Sequence, residues 1–503
     1  MISYAQQRSE RPRSRRKELP WQAATSKKPN LIFILTDDQG AWAMGCAGNT
    51  EIRSPNLDRL AAEGTRFENY FCTSPVCSPA RASIITGRIP SQHGVHDFLQ
   101  WEQHVKDCPA DTTRFLEGQP TYIEALRDAG YATCLSGKWH LGYGLEPQAG
   151  FQTWNAMPYG ASDYYKPPMV ENGEIVVHDG EYSSDVFTDN ALKFLDGQLG
   201  SDDPFCLHLH YTAPHSPWGQ DQHPRDLWDD YHDNCPLESV PSHEEPLPRG
   251  FVAPRTNEAA RRWSLAGYFA AITAMDRNVG RVLDWLDANG QREDTLVVFM
   301  SDNGMKMGHH GLYGKGNATW PQNMFDTSVK IPCIVSRPGH VPQNRVDTHL
   351  LSQYDWQPTF LEYAGLGDHI PDVLPGRSFS PLLRGEDMGE RESIFVFDEY
   401  GPVRMVRSKE WKLVWRHPSG AHELYNLADD PEEKANLFGY RGFVERIESM
   451  RKEMVDWYAS YVDPRLDGTQ LPITGRGQLA HATAENAFAY RFPDAWLPKP
   501  RTR

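Results

Sequence analysis

Residues 31–38 read LIFILTDD, five apolar residues followed by a threonine and two aspartates. A short apolar run that ends in polar residues is typical of a strand buried on both faces. Similar runs follow at Ala132–Ser136, Phe205–Tyr211, Thr295–Ser301 and Ile331–Ser336. Helical periodicity between them covers Asn56–Glu63, Ser78–Thr86, Tyr122–Ala129 and Glu258–Ala288. This alternation predicts an α/β fold, in which helices sandwich a large, mostly parallel or mixed sheet.

The rhythm of the chain changes after residue 385. A helical segment near Val444–Tyr458 follows three short apolar runs, Ser393–Phe397, Val403–Arg407 and Lys412–Trp415. These elements predict a smaller α+β domain, built on an antiparallel sheet and a helix. We therefore divide the chain into a disordered basic tail (1–28), a large α/β domain (29–385) and a smaller domain with a surface-wrapping tail (386–503).

The charge balance restricts the classes of partner. The 503 residues include 51 Lys and Arg against 67 Asp and Glu, which gives a formal net charge of -16. This excludes a nucleic-acid binder with a broad basic face, although a local cluster of cations can still bind a small anion. The sequence has no run of roughly 18 apolar residues that would span a membrane, and no secretory signal follows the basic N-terminus. The eight cysteines form no CxxC pair, so we expect reduced thiols and a cytoplasmic protein, with a processed export signal as the alternative.

Polar and charged side chains stand where four of the predicted strands end. They are Asp37, Asp38, Lys138, His140, His215, Asp302 and Asn303. In open parallel sheets, ligands bind beyond the carboxyl ends of the strands. We therefore expect these side chains to meet at one edge of the sheet.

Four of these residues offer oxygen ligands: Asp37, Asp38, Asp302 and Asn303. Three carboxylates at one sheet edge repel each other unless a cation neutralises them. Oxygen ligands favour Ca²⁺ or Mg²⁺ over Zn²⁺, which would recruit His and Cys. Either pair alone would fit an ordinary turn or helix cap. Two such pairs at the ends of parallel strands favour a metal site.

The segment Cys77-Ser78-Pro79-Ala80-Arg81 opens a predicted helix, with Pro79 in the first turn. Cys77 would lie where the helix dipole favours negative charge, and Arg81 one turn later on the same face. The alternative for this cysteine is a buried structural thiol.

Together these motifs resemble the type I sulfatases of the alkaline phosphatase superfamily. The matching pieces, in order, are Asp37-Asp38-Gln39, Cys77-Ser78-Pro79-Ala80-Arg81, Thr86-Gly87-Arg88, Gly137-Lys138-Trp139-His140, Pro214-His215-Ser216-Pro217, Ser301-Asp302-Asn303-Gly304, Gly314-Lys315-Gly316 and Glu423-Leu424-Tyr425-Asn426-Leu427. The resemblance covers roughly residues 29–440, and makes 29–385 the catalytic domain. A joint match of many separated motifs is far more specific than any one of them.

The resemblance implies that Cys77 is oxidised to formylglycine by a formylglycine-generating or sulfatase-maturing enzyme. One hydroxyl of the aldehyde hydrate would attack the sulfate ester and displace the alcohol. Loss of the proton from the second hydroxyl would then restore the aldehyde and expel sulfate. The implied metal ligands, around Ca²⁺ or alternatively Mg²⁺, are Asp37, Asp38, Asp302, Asn303 and the modified Cys77.

The resemblance also assigns roles to five cationic or titratable side chains. Arg81 would hold the hydrate, and His140 would take its proton. Lys138 and Lys315 would bind the sulfate oxygens. His215 would touch the sulfate and act as the general acid for the leaving alcohol. For the lysines and His215, the alternative is a solvated cation or a capping imidazole.

The predicted reaction is hydrolysis of a sulfate ester, and the substrate is predicted to be a small sulfated carbohydrate. His93 and His310 could line its pocket or be structural histidines in turns, and a long loop at residues 216–255 is expected to shape that pocket. The alternatives are a phosphonate monoester or phosphodiester hydrolase of the same superfamily, and a catalytically silent binding protein. The sequence does not predict the oligomeric state.

Overall fold

The computed structural model describes residues 28–101, 107–242, 257–398, 403–418, 420–473 and 475–489. Its strands are β1 (Asn30–Thr36), β2 (Thr65–Phe67), β3 (Tyr70–Phe71), β4 (Ala132–Lys138), β5 (Thr153–Met157), β6 (Pro168–Glu171), β7 (Glu174–Val177), β8 (Phe205–His210), β9 (Thr295–Ser301), β10 (Lys306–Met307), β11 (Tyr313–Gly314), β12 (Cys333–Ser336), β13 (Arg345–Asp347), β14 (Leu351–Ser352), β15 (Ile394–Asp398), β16 (Val403–Arg407), β17 (Trp411–Arg416) and β18 (Glu423–Asn426). Its α-helices are α1 (Pro55–Ala62), α2 (Cys77–Thr86), α3 (Pro90–His93), α4 (Tyr122–Asp128), α5 (Ser183–Asp196), α6 (Arg225–Asn234), α7 (Glu258–Ala288), α8 (Asp326–Val329), α9 (Trp356–Tyr363), α10 (Ser380–Leu383) and α11 (Val444–Tyr461). Most of the predicted basic tail, residues 1–27, lies outside the described residues.

The large sheet has the strand order β13-β2-β12-β9-β1-β8-β4-β5. The five strands from β9 to β5 run parallel to one another. β12 runs antiparallel to both of its neighbours. The sheet is therefore mixed with a parallel centre, which confirms the predicted fold class.

The central strand β1 is buried along its whole length. Successive side chains of a strand point to opposite faces. Accordingly, Leu31, Phe33 and Leu35 belong to one apolar core, and Ile32 and Ile34 to the other. Helices cover both faces of the sheet, and Asp37 and Asp38 follow directly at the carboxyl end of β1.

Helix α6 (Arg225–Asn234) lies inside the segment that the sequence predicted to be a loop. Its charged residues conceal a narrow apolar face, on which Leu227, Trp228 and Tyr231 are buried. Burial of that face against the rest of the fold, rather than helix propensity, stabilises a short helix of this kind. Residues 243–256, the end of the predicted loop, lie outside the described residues.

A second sheet has the antiparallel order β15-β16-β17-β18, and α11 contributes Ile447, Met450 and Met454 to its apolar core. The C-terminal antiparallel sheet and its helix are thus as predicted. After α11 the chain returns to helix α3, where the Asp463 N–H donates to the Ser91 carbonyl at 2.9 Å. None of the helices in the described part of the chain has the length and apolar character that crossing a bilayer requires.

Candidate active site

Parallel pairing brings the carboxyl ends of β1 and β9 together. Thr36 is in register with Ser301, so the aspartates that follow each strand become neighbours. The Asp38 N–H donates to Asp302 Oδ1 at 3.2 Å. Carboxylate oxygens of Asp37, Asp38 and Asp302 all lie within 4.8 Å of one another. The three predicted acidic ligands therefore form one buried cluster.

Asn303 completes this oxygen cluster. Its side-chain nitrogen donates to Asp38 Oδ1 at 2.7 Å and to the Gly304 carbonyl at 2.9 Å. Its Oδ1 is buried and has no hydrogen-bond partner among the described residues. An unsatisfied buried acceptor costs about 1–3 kcal/mol, and a hard cation beside the carboxylates would remove that cost. The donor set therefore fits a divalent ion that prefers oxygen.

Each carboxylate of the cluster also contacts a cationic side chain. Lys138 contacts Asp37, Lys315 contacts Asp38, and Arg81 Nε donates to Asp302 Oδ2 at 3.0 Å. These pairs offset the charge of three acids within a buried volume.

The burial and the charges shift the pKa values of the acids in opposite directions. Burial alone would raise the pKa of Asp37, but the positive charges of Lys138, His215 and Arg81 outweigh it and hold the pKa well below its usual value. Burial, with the negative charge of Asp37, raises the pKa of Asp302 to about 7. Asp302 therefore holds a proton more readily than Asp37.

Cys77 is the first residue of α2, and it is buried beside the acids. Its Sγ lies 3.3 Å from Asp37 Oδ1 and 2.7 Å from Lys315 Nζ. Burial, and then the charge of Asp37, raise the pKa of the thiol to about 12. The expected effect of the helix dipole is thus outweighed, and the thiol stays protonated at neutral pH.

His140 and His215 approach the cluster from the ends of β4 and β8. His140 Nε2 lies 3.0 Å from the Leu99 carbonyl, and its buried Nδ1 has no hydrogen-bond partner among the described residues. His215 Nδ1 lies 2.6 Å from the Ser216 carbonyl, and Nε2 lies 3.7 Å from Asp38 Oδ2. Both predicted imidazoles are therefore at the strand ends, as the sequence indicated.

Two backbone positions at this edge are strained. Asp38 has φ 63° and His140 has φ 52°. Residues other than glycine rarely adopt this left-handed region, and such strain clusters at functional sites. This left-handed conformation sets the direction in which the chain leaves β1 and β4.

His93 and His310, the two candidate substrate residues, are engaged elsewhere. His93 Nε2 lies 3.1 Å from Ser83 Oγ, and its Nδ1 accepts from the Val95 N–H at 3.1 Å. His310 stacks on Phe325 with ring centroids 3.8 Å apart, and its Nε2 lies 2.8 Å from the Glu432 carbonyl. These contacts favour the structural alternative for both histidines, because each ring already bonds or stacks on other parts of the fold.

A hydrogen-bond chain of two histidines lies behind the cluster. His208 and His210 alternate along β8, and their Nδ1 and Nε2 atoms lie 3.1 Å apart. His210 Nδ1 lies 3.1 Å from the Lys138 carbonyl, to which Arg81 Nη1 also donates at 3.2 Å. Residues two apart on a strand share a face, so the sequence signal that could have found this pair is their alternation, and no signal links them to Lys138.

Three carboxylates, an amide oxygen and a buried cysteine, surrounded by cations at the carboxyl edge of a mixed sheet, form a group that could hold a divalent ion and are typical of a hydrolase active site. The sulfatase family model matches residues 29–366. A second model, described as the C-terminal part of N-sulphoglucosamine sulphohydrolase, matches residues 308–460. The chain belongs to the sulfatase family and is a sulfuric ester hydrolase with an alkaline phosphatase-like fold, as its motifs indicated.

Individual relatives cover most of the chain. It is 27% identical over 518 aligned positions to an N-acetylglucosamine-6-O-sulfatase of Bacteroides thetaiotaomicron, covering 88% of each protein. A solved structure of a protein in complex with its substrate D-glucosamine-2-N,6-O-disulfate superposes with a TM-score of 0.75 and 25% identity, over 88% of this chain and 99% of that one. A phosphonate monoester hydrolase of Agrobacterium radiobacter shares the fold, with a TM-score of 0.67 and 20% identity, over 87% and 96% of the two chains.

Proposed function

We propose that this enzyme releases sulfate from a sulfated sugar of the amino-sugar type, at a site built around a converted Cys77. The observation that carries the proposal is the position of the Cys77 sulfur, 3.3 Å from Asp37 and 2.7 Å from Lys315. The choice of sugar is supported by the relative that is an N-acetylglucosamine-6-O-sulfatase and by the solved complex with a glucosamine disulfate.

The chemistry of Cys77 supports its conversion. A buried thiol with a pKa of about 12 is almost wholly protonated at neutral pH, and the thiolate is the reactive form of cysteine. Formylglycine, made from Cys77 by a maturation enzyme, would supply a hydrated aldehyde with a hard oxygen nucleophile and a route for sulfate release.

The oxygen cluster fits Ca²⁺, with Mg²⁺ as the alternative. Asp37, Asp38, Asp302 and Asn303, with the converted residue 77, would hold the ion. The ion would supply positive charge close to the sulfate ester. Asn303 Oδ1, which has no protein partner among the described residues, is the ligand that the ion would satisfy.

The surrounding side chains bind the ester and move protons. Lys138 and Lys315 lie against Asp37 and Asp38, where their ammonium groups can also reach sulfate oxygens and stabilise charge in the transition state. Arg81 is held by Asp302 and lies one helical turn from residue 77, where its guanidinium can hold the hydrate of the converted residue.

The two histidines have opposite roles in proton transfer: His215 donates a proton and His140 accepts one. His215 is 22% exposed, so its Nε2 can deliver a proton to the oxygen of the departing sugar. Burial, and then the charge of Lys138, hold the pKa of His140 well below its usual value. A neutral His140 at neutral pH can accept a proton on Nδ1.

The test combines peptide mass spectrometry at residue 77 with a substrate screen. We expect the aldehyde mass at residue 77, and sulfate release from glucosamine 6-O-sulfate that exceeds turnover of an aryl phosphate diester or a phosphonate monoester. Cys77→Ser should abolish turnover, and Cys134→Ser, which changes another buried cysteine, should retain it. An intact thiol in active enzyme, or a preference for the phosphorus esters, would contradict the proposal.

A further inference from the structure

Part of the segment after α11 forms backbone hydrogen bonds with residues 98–100, on the active-site side of the molecule. We name residues 475–480 the C-terminal strap. The Gln478 N–H donates to the Phe98 carbonyl at 2.9 Å, and the Gln478 carbonyl accepts from the Gln100 N–H at 3.1 Å. The second family model ends at residue 460, so the strap lies beyond the part of the chain that either model describes.

This pairing fixes the orientation of the Leu99 backbone N–H and carbonyl, because Leu99 forms a parallel bridge with Gln478. In a parallel bridge, the strap bonds to the residues on either side, and the backbone groups of the central residue face the opposite edge. The Leu99 N–H accordingly donates to Ser78 Oγ at 3.1 Å. The Leu99 carbonyl lies 3.0 Å from His140 Nε2. Leu99 therefore joins the strap to the base and to the neighbour of Cys77.

The contact with Leu99 determines the tautomer of His140. A carbonyl can only accept a hydrogen bond, so Nε2 carries the proton and Nδ1 of the neutral ring does not. The ring itself is confined, because Trp101 lies edge-on to it with centroids 5.5 Å apart. On another side, a Cβ at Gly160 would come within 2.6 Å of His140 Cε1. The imidazole thus has little freedom apart from what Leu99 allows.

The strap is anchored by a fully buried side chain, that of Gln478. Gln478 Oε1 accepts from the His96 N–H at 2.9 Å, and Nε2 donates to the Gly94 carbonyl at 2.9 Å. The neighbouring Gly477 N–H donates to Asp97 Oδ2 at 3.0 Å. The side chain of one glutamine therefore bonds to the backbone of the segment that leads to Leu99 and holds that segment in place.

We propose that the strap is a positioning element of the active site, which holds the Leu99 carbonyl so that His140 keeps its proton on Nε2 and presents Nδ1 as the acceptor. This inference rests on the proposed function, in which His140 accepts a proton during sulfate release. It assigns a role to a segment at the far end of the chain from the catalytic motifs.

The first test is Gln478→Ala, assayed with 4-nitrophenyl sulfate and corrected for the formylglycine content of each preparation. A misplaced base should lower kcat by about 100-fold, with KM within about twofold because the sulfate-binding lysines are untouched. The matched control is Gln470→Ala, since Gln470 is exposed in the same C-terminal region and its side-chain amide donates to the adjacent Thr469 Oγ1 at 3.1 Å. The control should keep the wild-type kcat.

A double-mutant cycle with His140→Ala separates positioning from general stability. If the strap acts through His140, adding Gln478→Ala to His140→Ala should change kcat by no more than about twofold. An undiminished 100-fold loss in the His140→Ala background would overturn the proposal. A wild-type kcat in Gln478→Ala would overturn it equally.

A readout without substrate is the ¹⁵N spectrum of histidine-labelled enzyme, with the His140 signals assigned by their loss in His140→Asn. The wild-type ring should show a protonated Nε2 and a bare Nδ1, and Gln478→Ala should show a mixture of tautomers. An unchanged tautomer would contradict the role of the strap. An inactive wild-type enzyme with converted Cys77 would instead contradict the proposed function, so the two failures are distinct.

Discussion

Replacement of Lys138 by methionine tests whether lysine side chains neutralise the negative charge of the acidic cluster, and whether a bound metal ion can supply the positive charge that is lost. Lys138 and Asp37 are both fully buried, and the ammonium group contacts the carboxylate. Methionine keeps most of the volume of lysine and removes its charge. The substitution leaves Asp37 beside two further acids, without its closest cation.

The size of the effect follows from this burial. Removing one partner of a buried ion pair costs about 3–5 kcal/mol, because the remaining charge is uncompensated. An unfolding entropy of about 2.1 cal/mol/K per residue, for a chain of this length, amounts to roughly 1 kcal/mol per kelvin. We therefore expect Lys138→Met to lower Tm by about 3–5 °C in the presence of a chelator. Saturating calcium should reduce the gap to less than half, since the ion supplies charge to Asp37.

The assay is thermal unfolding followed by circular dichroism, with chelator and with calcium. The control is Lys412→Met, because Lys412 is also fully buried and contacts Asp326 and Glu433, two acids outside the cluster. Its Tm deficit should be the same with and without calcium. The reasoning is refuted if the Lys138→Met deficit does not respond to calcium, or if the Lys412→Met deficit responds equally.

Three further predictions concern the metal and the pH. Asn303→Ala should weaken calcium binding, measured by titration calorimetry, by at least about tenfold, because the unpartnered Oδ1 is lost; unchanged affinity would remove Asn303 from the ligand set. Calcium should bind the wild-type enzyme more weakly at pH 6 than at pH 8, since the raised pKa of Asp302, about 7, means that a proton competes with the ion below that pH; equal affinities would argue against this competition. Burial raises the pKa of Asp97 to about 8, so the folded state binds this proton more tightly than the unfolded chain, and the resulting stability is lost as the pH rises to 8. Asp97→Asn cannot ionise and does not lose this stability. Between pH 6 and pH 9, the unfolding free energy of the variant minus that of the wild type should therefore rise by about 2–3 kcal/mol. Denaturant titrations in which this difference does not change with pH would contradict the burial argument.

Much of the fold and the site followed from short-range signals. The apolar run of β1 and the polar pair after it are contiguous, so the sequence alone indicated both the strand and its functional end. The helical spacing of Cys77 and Arg81 is equally local. Helix α6 was missed because its apolar face has only three residues, Leu227, Trp228 and Tyr231, which become informative only when they are buried.

These short-range signals did not predict which atoms a side chain contacts. His93 and His310 stand next to family motifs, yet their rings bond to Ser83 and to the Glu432 carbonyl. Proximity along the chain places a residue within a few positions of a site, but its rotamer and its hydrogen-bond partners decide whether it faces that site.

The amino-acid sequence by itself determined the class of fold, the edge where the polar residues gather, and the family, because periodicity and motifs are local patterns that survive without coordinates. Only the tertiary structure decided which lysine faces which carboxylate, and that the strap reaches Leu99. The Gln478 side chain meets the His96 backbone across 382 positions. Contacts over such a separation depend on how the whole chain packs, and no local pattern encodes them.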